Sequence, residues 1–219
     1  MVTSFLQLIQ KRYGGELGQD ADEYIRHAVE GADRMRRLIN GLLELSRLNR
    51  KEKEFEPVEV GKVVEVALDN LSVAIWESQA KIKREKLPVV LGDETQLTQL
   101  FQNLIENAIK FCKEGPPVIE IQARLVMEDE SEWWVFSVSD NGPGIAPEHH
   151  ERVYEIFQRL QAPSEGGGTG IGLALCRRIV ENHGGEITLD SEEGKGCVFK
   201  FNLKAAPENE EGEAKDFEI

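Results

Sequence analysis

Positive charge, cysteine and long apolar runs are all scarce in this chain, and each shortage removes a class of function. Across 219 residues, 26 Lys and Arg stand against 40 Asp and Glu, a formal net charge of −14. Phosphate backbones need a basic footprint, so nucleic acid is excluded as a partner, and an anionic membrane surface is disfavoured for the same reason. The cysteines are three, Cys112, Cys176 and Cys197, isolated and odd in number. Neither a disulfide framework nor zinc-ligand spacing results, so they read as small core residues in a reducing, cytoplasmic compartment. No apolar stretch reaches membrane-spanning length and no leader pattern opens the chain, so this chain is expected to make no direct membrane contact. What remains is 40% hydrophobic and 30% charged, a composition compatible with a soluble globular core. Anionic small molecules stay open, because a local cluster of amides or cations overrides the global sign.

The most informative stretch is 92–111, GDETQLTQLFQNLIENAIKF. Asp93 is suited to cap a helix, its carboxylate accepting from an amide one turn in. Leu97, Leu100, Phe101, Leu104, Ile105, Ala108 and Ile109 then recur at helical spacing and make a broad apolar face. Asn103, Asn107 and Lys110 are interleaved with it, one helical turn apart in succession. Two amides and an ammonium in line form a polar ladder suited to a hydrated cation and a phosphate. The same ladder also reads as the ordinary polar boundary of a packed helix.

Upstream, 1–13 reads as the last turns of a helix with Val2, Phe5, Leu6 and Ile9 on one side, and Gly14, Gly15 and Gly18 break it. The chain opens in the middle of this pattern, which suggests a piece of something longer. A long helix from about Asp20 to about Leu48 carries Tyr24, Ala28, Gly31, Met35, Leu38, Leu42 and Leu45 as a heptad seam, widened by Ile25, Ala32 and Ile39. Two helices cannot cover that stripe, so a homodimer through the hairpin 1–48 is expected. In such a hairpin, Met35 to Leu48 is left exposed, reorganised or covered by another chain, whereas Tyr24 and Ala28 face the first helix.

A charged linker, 49–56, separates this hairpin from a region of alternating strands and helices, 57–204. Strands are predicted at Pro57–Val60, Ile82–Arg84 and Val89–Leu91, with a single helix over Gly61–Ala80 presenting Val64, Ala67, Leu68 and Leu71. Longer strands at Val118–Met127 and Trp133–Ser139 are joined by an acidic turn, a helix ends near His183, and Gly185–Leu189 with Cys197–Leu203 makes a closing hairpin. The sum is a two-layer α/β sandwich, three helices on a mixed sheet, preceded by the helical hairpin. The acidic tail 205–219 has almost no apolar residues and is expected to be disordered.

Two glycine clusters carry the chemistry. Asp140-Asn141-Gly142-Pro143-Gly144-Ile145 follows an apolar strand. A carboxylate there can accept from an exocyclic amine while the glycines allow close backbone approach, although DNGPG is also an excellent turn. Gly166 to Leu173, GGGTGIGL, leads into a helix, where bare amides and the helix dipole favour a phosphate. It is neither a P-loop, having no Gly-Lys-Ser/Thr ending, nor a dinucleotide fingerprint, since Leu173 stands where a third glycine belongs. Between the clusters lies a long loop, Ala146 to Gly168, of a length that is usually either a functional lid or disordered.

Together these residues resemble the catalytic part of sensor histidine kinases, within the wider group of ATPases that includes topoisomerase, mismatch-repair and chaperone ATP-binding domains. The asparagine box is Asn103 to Phe111; glycine boxes stand at Asp140 to Gly144 and Gly168 to Leu173; Phe157 matches the phenylalanine box. Gly194-Lys-Gly196-Cys-Val-Phe199 is similar to a third glycine box, with Cys197 where threonine is usual. The resemblance implies a Bergerat-type ATP-binding fold over about 57–203 and the end of a histidine-phosphotransfer hairpin before it. It implies ATP and Mg²⁺: Asp140 on the adenine amine, Asn107 on Mg²⁺, Asn103 orienting water or metal, and Lys110 with the amides of Gly168, Thr169, Gly170, Ile171, Gly172 and Leu173 on phosphates. Phe111 packs by the adenine, Gly142, Gly144 and Ile145 complete that wall, and Phe157 with Arg159 anchors the lid. A receiver-domain response regulator is the implied partner.

The family's acceptor histidine, followed by an acidic residue near the start of the first helix, is expected to lie upstream of Met1. Of the four histidines here, His27 reads as a surface residue, His149 and His150 as solvated, and His183 as a helix end where imidazolium suits the dipole. The expectation is a chain that binds Mg–ATP and does not phosphorylate itself. Three other readings compete. An ATPase would need a base where Asn103 stands, and Glu106 points about 100° away from Asn107. A non-catalytic scaffold would not bind nucleotide. A serine/threonine kinase of the anti-sigma type would lack the heptad hairpin.

Overall fold

The computed structural model describes residues 2–16, 18–48, 55–112, 114–128, 131–158 and 169–207. The chain divides into two compact units that are not collinear with it: Met1–Arg50 with Glu151–Leu175, and Lys51–His150 with Cys176–Ile219.

In the first unit, α1 (Val2–Tyr13) and α2 (Gln19–Leu48) form an antiparallel pair. The turn is closed where the Gly15 N–H donates to the Asp22 carboxylate at 3.0 Å, with Gly15 and Gly18 at positive φ. The expected order of exposure along the seam is reversed. Tyr24 is 73% exposed, against 43% for Leu42, and the residues covered within this unit include Leu6, Ile25, Val29 and Ala32. The face toward α1 is therefore the one the heptad reading treated as flanking. Gly41 explains the partial cover farther along: a Cβ there would stand 2.9 Å from Ile171 Cδ1, so an isoleucine of the same chain is seated on α2 at this bare position.

The second unit begins at β1 (Glu56–Glu59), followed by α3 (Val60–Asn70), α4 (Ser72–Ser78), β2 (Lys81–Arg84) and β3 (Val89–Gly92). The single helix expected over Gly61–Ala80 is thus two. It breaks at Leu71, whose φ of −100° and ψ of 7° leave the helical well while its side chain goes into the core. Asp69 and Asn70 are weak helix formers, and the Asn70 amide donates instead to Gln102 Oε1 at 3.2 Å. α5 (Glu94–Phe111), β4 (Val118–Glu128), β5 (Ser131–Asp140), α6 (Gly172–Asn182), β6 (Ile187–Ser191) and β7 (Cys197–Lys204) complete the chain.

Five strands make one mixed sheet in the order β2-β4-β5-β7-β6, with β2 parallel to β4 and the other neighbours antiparallel. β1 and β3 form their own two-stranded antiparallel ribbon, bridged at Val90 to Ala205 just past β7, an arrangement the sequence reading did not anticipate. Period-two alternation puts Ile119, Ile121, Phe136, Val138, Phe199, Phe201 and Leu203 on the covered face. Phe101 of α5 meets Phe136 and Phe201 edge-on at 6.0 and 5.6 Å, and those two rings stack at 5.3 Å. The predicted two-layer sandwich is this arrangement. No helix among the described residues is long and apolar enough to cross a membrane.

Candidate functional site

α5 is fixed at both ends. At its start the Asp93 carboxylate accepts from the Thr95 and Gln96 amides at 2.9 and 3.1 Å. The Asp93 amide itself donates to His183 Nε2 at 3.0 Å, while His183 Nδ1 lies 2.7 Å from the Ile179 carbonyl. Nδ1 must therefore carry the proton, and the ring is neutral. Burial lowers its pKa against the opposing pull of the Ile179 carbonyl and Asp93. This corrects the expected imidazolium: His183 is buried, stacked on Phe55 at 4.3 Å, and joins the end of α6 to the start of α5. Gly92 makes room for it, since a Cβ there would come within 3.0 Å of the ring.

Along α5, Leu97, Leu100, Phe101, Leu104, Ile105 and Ala108 are buried, Ile109 is half-buried and Glu106 points outward. Asn103 and Asn107 are half-buried at the edge of that face. Asn103 Nδ2 is fully enclosed without a hydrogen bond, a donor held ready for an acceptor. Lys110 Nζ lies 4.9 Å from the Phe111 ring centre. A groove of about 400 Å³ between α3 and α5 has Asn103, Gln99 and Thr98 in its wall.

At the end of β5, Asp140 is held by backbone. Its Oδ1 accepts from Gly142 at 2.8 Å and from Cys197 at 3.3 Å, and Oδ2 makes no hydrogen bond with a described residue. Burial raises the carboxyl pKa, and those two amides pull it back. The following loop is stitched to the β6–β7 turn: Ile145 N–H donates to Ser191 Oγ at 2.9 Å, and Gly194 N–H to the Pro143 carbonyl at 2.7 Å. Gly144, at φ 71°, passes so close to the Glu192 carbonyl that a Cβ could not fit. Ser191 escaped the sequence reading because nothing in SEEGKG marks it; only its register opposite Cys197 brings it here. Cys197 is a buried thiol whose pKa burial pushes up to about 11, consistent with a core residue, as is Cys176; Cys112 is only half-buried.

In the first unit, the Phe157 amide donates to the Gly170 carbonyl at 2.8 Å and ties together the two ends of the long loop. Both residues have positive φ, 68° and 69°, a conformation that strains Phe157. Thr169 and Gly170 lead into α6, whose first turn includes Gly172 and Leu173. Ile171 turns its side chain inward and is buried, so only its backbone can serve a ligand. Gly168 and Arg159 lie outside the described residues. His149 and His150 are half-buried rather than solvated, with His150 Nε2 3.0 Å from the Ile145 carbonyl; His27 is exposed beside Glu23 and Glu30.

A family described as histidine kinase-, DNA gyrase B- and HSP90-like ATPase matches residues 92–207. Cyanobacterial phytochrome A of Nostoc is 45% identical over 92% of this chain and 26% of its own length, and sensor histidine kinase WalK of Bacillus subtilis is 32% identical over 87% and 32%. The chain thus spans about a quarter to a third of these relatives. Among solved structures, full-length ShkA in complex with AMPPNP aligns over 94% of this chain and 43% of its own, at TM-score 0.68 and 28% identity. The catalytic domain of histidine kinase ThkA aligns over 71% and 99%, at TM-score 0.59 and 25% identity. The chain belongs to the histidine kinase-, DNA gyrase B- and HSP90-like ATPase family, and within it is similar to the catalytic domain of sensor histidine kinases.

Proposed function

We propose that this chain binds Mg–ATP and directs its γ-phosphoryl group to a histidine, for relay to an aspartate of a receiver-domain response regulator. The observation that carries the reading is Asp140: a half-buried carboxylate with one oxygen fixed by two amides and the other making no hydrogen bond with a described residue. That second oxygen suits an exocyclic amine such as adenine's. Phe111 offers a flat apolar wall one helix end away. ShkA, solved with an ATP analogue, supports the same ligand class.

The residues fit a hard cation without a carboxylate cage. Among the described residues no group of three or more His, Cys, Asp or Glu could hold a metal ion, whereas Asn107 offers an amide oxygen, and the enclosed Asn103 amide donor one turn away suits a metal-bound water or a phosphate oxygen. Mg²⁺ so bound would neutralise phosphate charge, most of its ligands being phosphate and water. Lys110 is the side-chain cation proposed for a phosphate, the amides of 169–173 ahead of and within the first turn of α6 are proposed phosphate donors, and Phe157 with Gly170 is the proposed anchor of a lid. Catalysis would be positioning and charge neutralisation, with the acceptor imidazole supplied from elsewhere. None of the four histidines is assigned that role: His183 has both nitrogens engaged, His27 is followed by Ala28, and His149 and His150, although Glu151 follows them, lie after β5 and not in the first hairpin helix.

Hydrolysis is the weaker reading, because Asn103 cannot act as a base and Glu106 faces solvent. Isothermal titration with ADP, with and without Mg²⁺, tests the proposal. Saturable binding strengthened by Mg²⁺ is expected; no heat at millimolar ADP would leave only a scaffold.

A further inference from the structure

Asn141 lies between two residues to which the nucleotide reading gives no help in finding each other: Asp140 at the end of β5 and Phe111 at the end of α5. Its side chain behaves as a length of backbone. The Val118 N–H, first in β4, donates to Asn141 Oδ1 at 2.7 Å, and Asn141 Nδ2 donates to the Pro116 carbonyl at 3.3 Å. Cys112 Sγ, the residue that ends α5, sits 3.6 Å from the same Oδ1. One amide thus engages three points of the turn that follows α5, while its own peptide is bonded to Asp140. Neighbouring Gly142 donates back to the Asp140 carboxylate, so the clamp and the carboxylate share three consecutive residues.

We propose that Asn141 is a positioning residue that sets the distance between the Asp140 carboxylate and the end of α5, and so the fit of the base between them. This rests on the nucleotide reading and assigns Asn141 no contact with the ligand. The side chain is at the surface, so its loss removes hydrogen bonds and leaves no cavity in the core. Without the clamp, the turn 112–117 and the Asp140 loop separate, and the base-specific part of binding fails while the phosphate-specific part survives.

Asn141→Ala, Asn141→Asp and the unaltered chain are titrated with ADP and, separately, with magnesium tripolyphosphate, which has phosphates and no base. For Asn141→Ala the expected result is an ADP Kd raised about tenfold, the effect of roughly one hydrogen-bonded clamp, with tripolyphosphate affinity unchanged. Asn141→Asp keeps the acceptor for Val118 but gives up the donor to Pro116, and is expected to fall between the unaltered chain and Asn141→Ala. Equal loss of both ligands in Asn141→Ala, no loss of either, or an Asp variant as poor as the Ala variant overturns the proposal while leaving the nucleotide reading intact. If the unaltered chain binds neither ligand, both fall together.

Discussion

Burial raises the pKa of the Asp140 carboxyl above its ordinary value, and the amides of Gly142 and Cys197 pull it only part of the way back. A folded-state pKa above the unfolded one means that the native state holds the proton more readily. Stability from this group is then full below the unfolded value and is lost as pH rises through the folded one. At neutral pH the ionised carboxylate therefore costs stability. Asp140→Asn is expected to keep or raise Tm, because an amide oxygen still accepts from both backbone donors, yet to weaken ADP binding about 10- to 100-fold through loss of a charge-assisted bond. Parallel melts and titrations read both; a fall in Tm equal to the loss of binding would mean the carboxylate is structural. His183 has the opposite sign. Its pKa is lowered by burial, so its contribution is present above the unfolded value near 6.5 and lost as pH falls through the folded one, at up to about 1.4 kcal/mol per pH unit. His183→Gln should flatten the stability profile on the acid side of about pH 6.5 in denaturant melts; a variant curve parallel to the original would remove His183 from the acid response.

α5 was legible because three independent signals agree along it: the Asp93 cap, the apolar period, and the amides placed beside rather than within the packed face. β4 and β5 were legible for the same kind of reason, alternation bounded by an acidic turn. The break between α3 and α4 was not, because Leu71 continues the apolar period while its backbone leaves it; burial of one side chain decides against propensity there. His183 was misread because a histidine at a helix end is usually solvated, and only the distant Asp93 amide shows otherwise. The β1–β3 ribbon pairs residues far apart in sequence, from Glu59 with Val89 to Glu56 with Gly92, and local pattern carries no such information. Within α5 the sheet-facing side chains dominate the energetics. Leu104→Ala is expected to cost about 2–5 kcal/mol in urea unfolding, given its near-complete burial. A much smaller cost would mean that the helix is loosely seated. At the end of α4, Gln79 occupies the left-handed region at φ 55°, so Gln79→Gly should stabilise by about 1 kcal/mol by relieving that strain.

At the scale of the whole chain, the family match begins at residue 92 and leaves α1 and α2 outside it, so what the hairpin does must be argued from its own surface. α2 exposes Tyr24, Met35, Ile39, Leu42 and Leu43, and α1 exposes Val2, Phe5, Leu8 and Ile9. These exposed apolar side chains on two adjoining helices are what the expected homodimer would bury, a second copy of the hairpin supplying the other half of a four-helix core. Each buried Leu or Ile side chain contributes about 1.5–3 kcal/mol to such an interface. Replacing two of them by carboxylates sets like charges against each other across the pair as well. Ile39→Glu combined with Leu42→Glu is therefore expected to halve the mass measured by light scattering, with ADP affinity unchanged within about twofold, since neither residue belongs to the proposed site. The unaltered chain running as a monomer at 100 µM, a generous concentration for several such contacts acting together, would show that the stripe is covered in some other way.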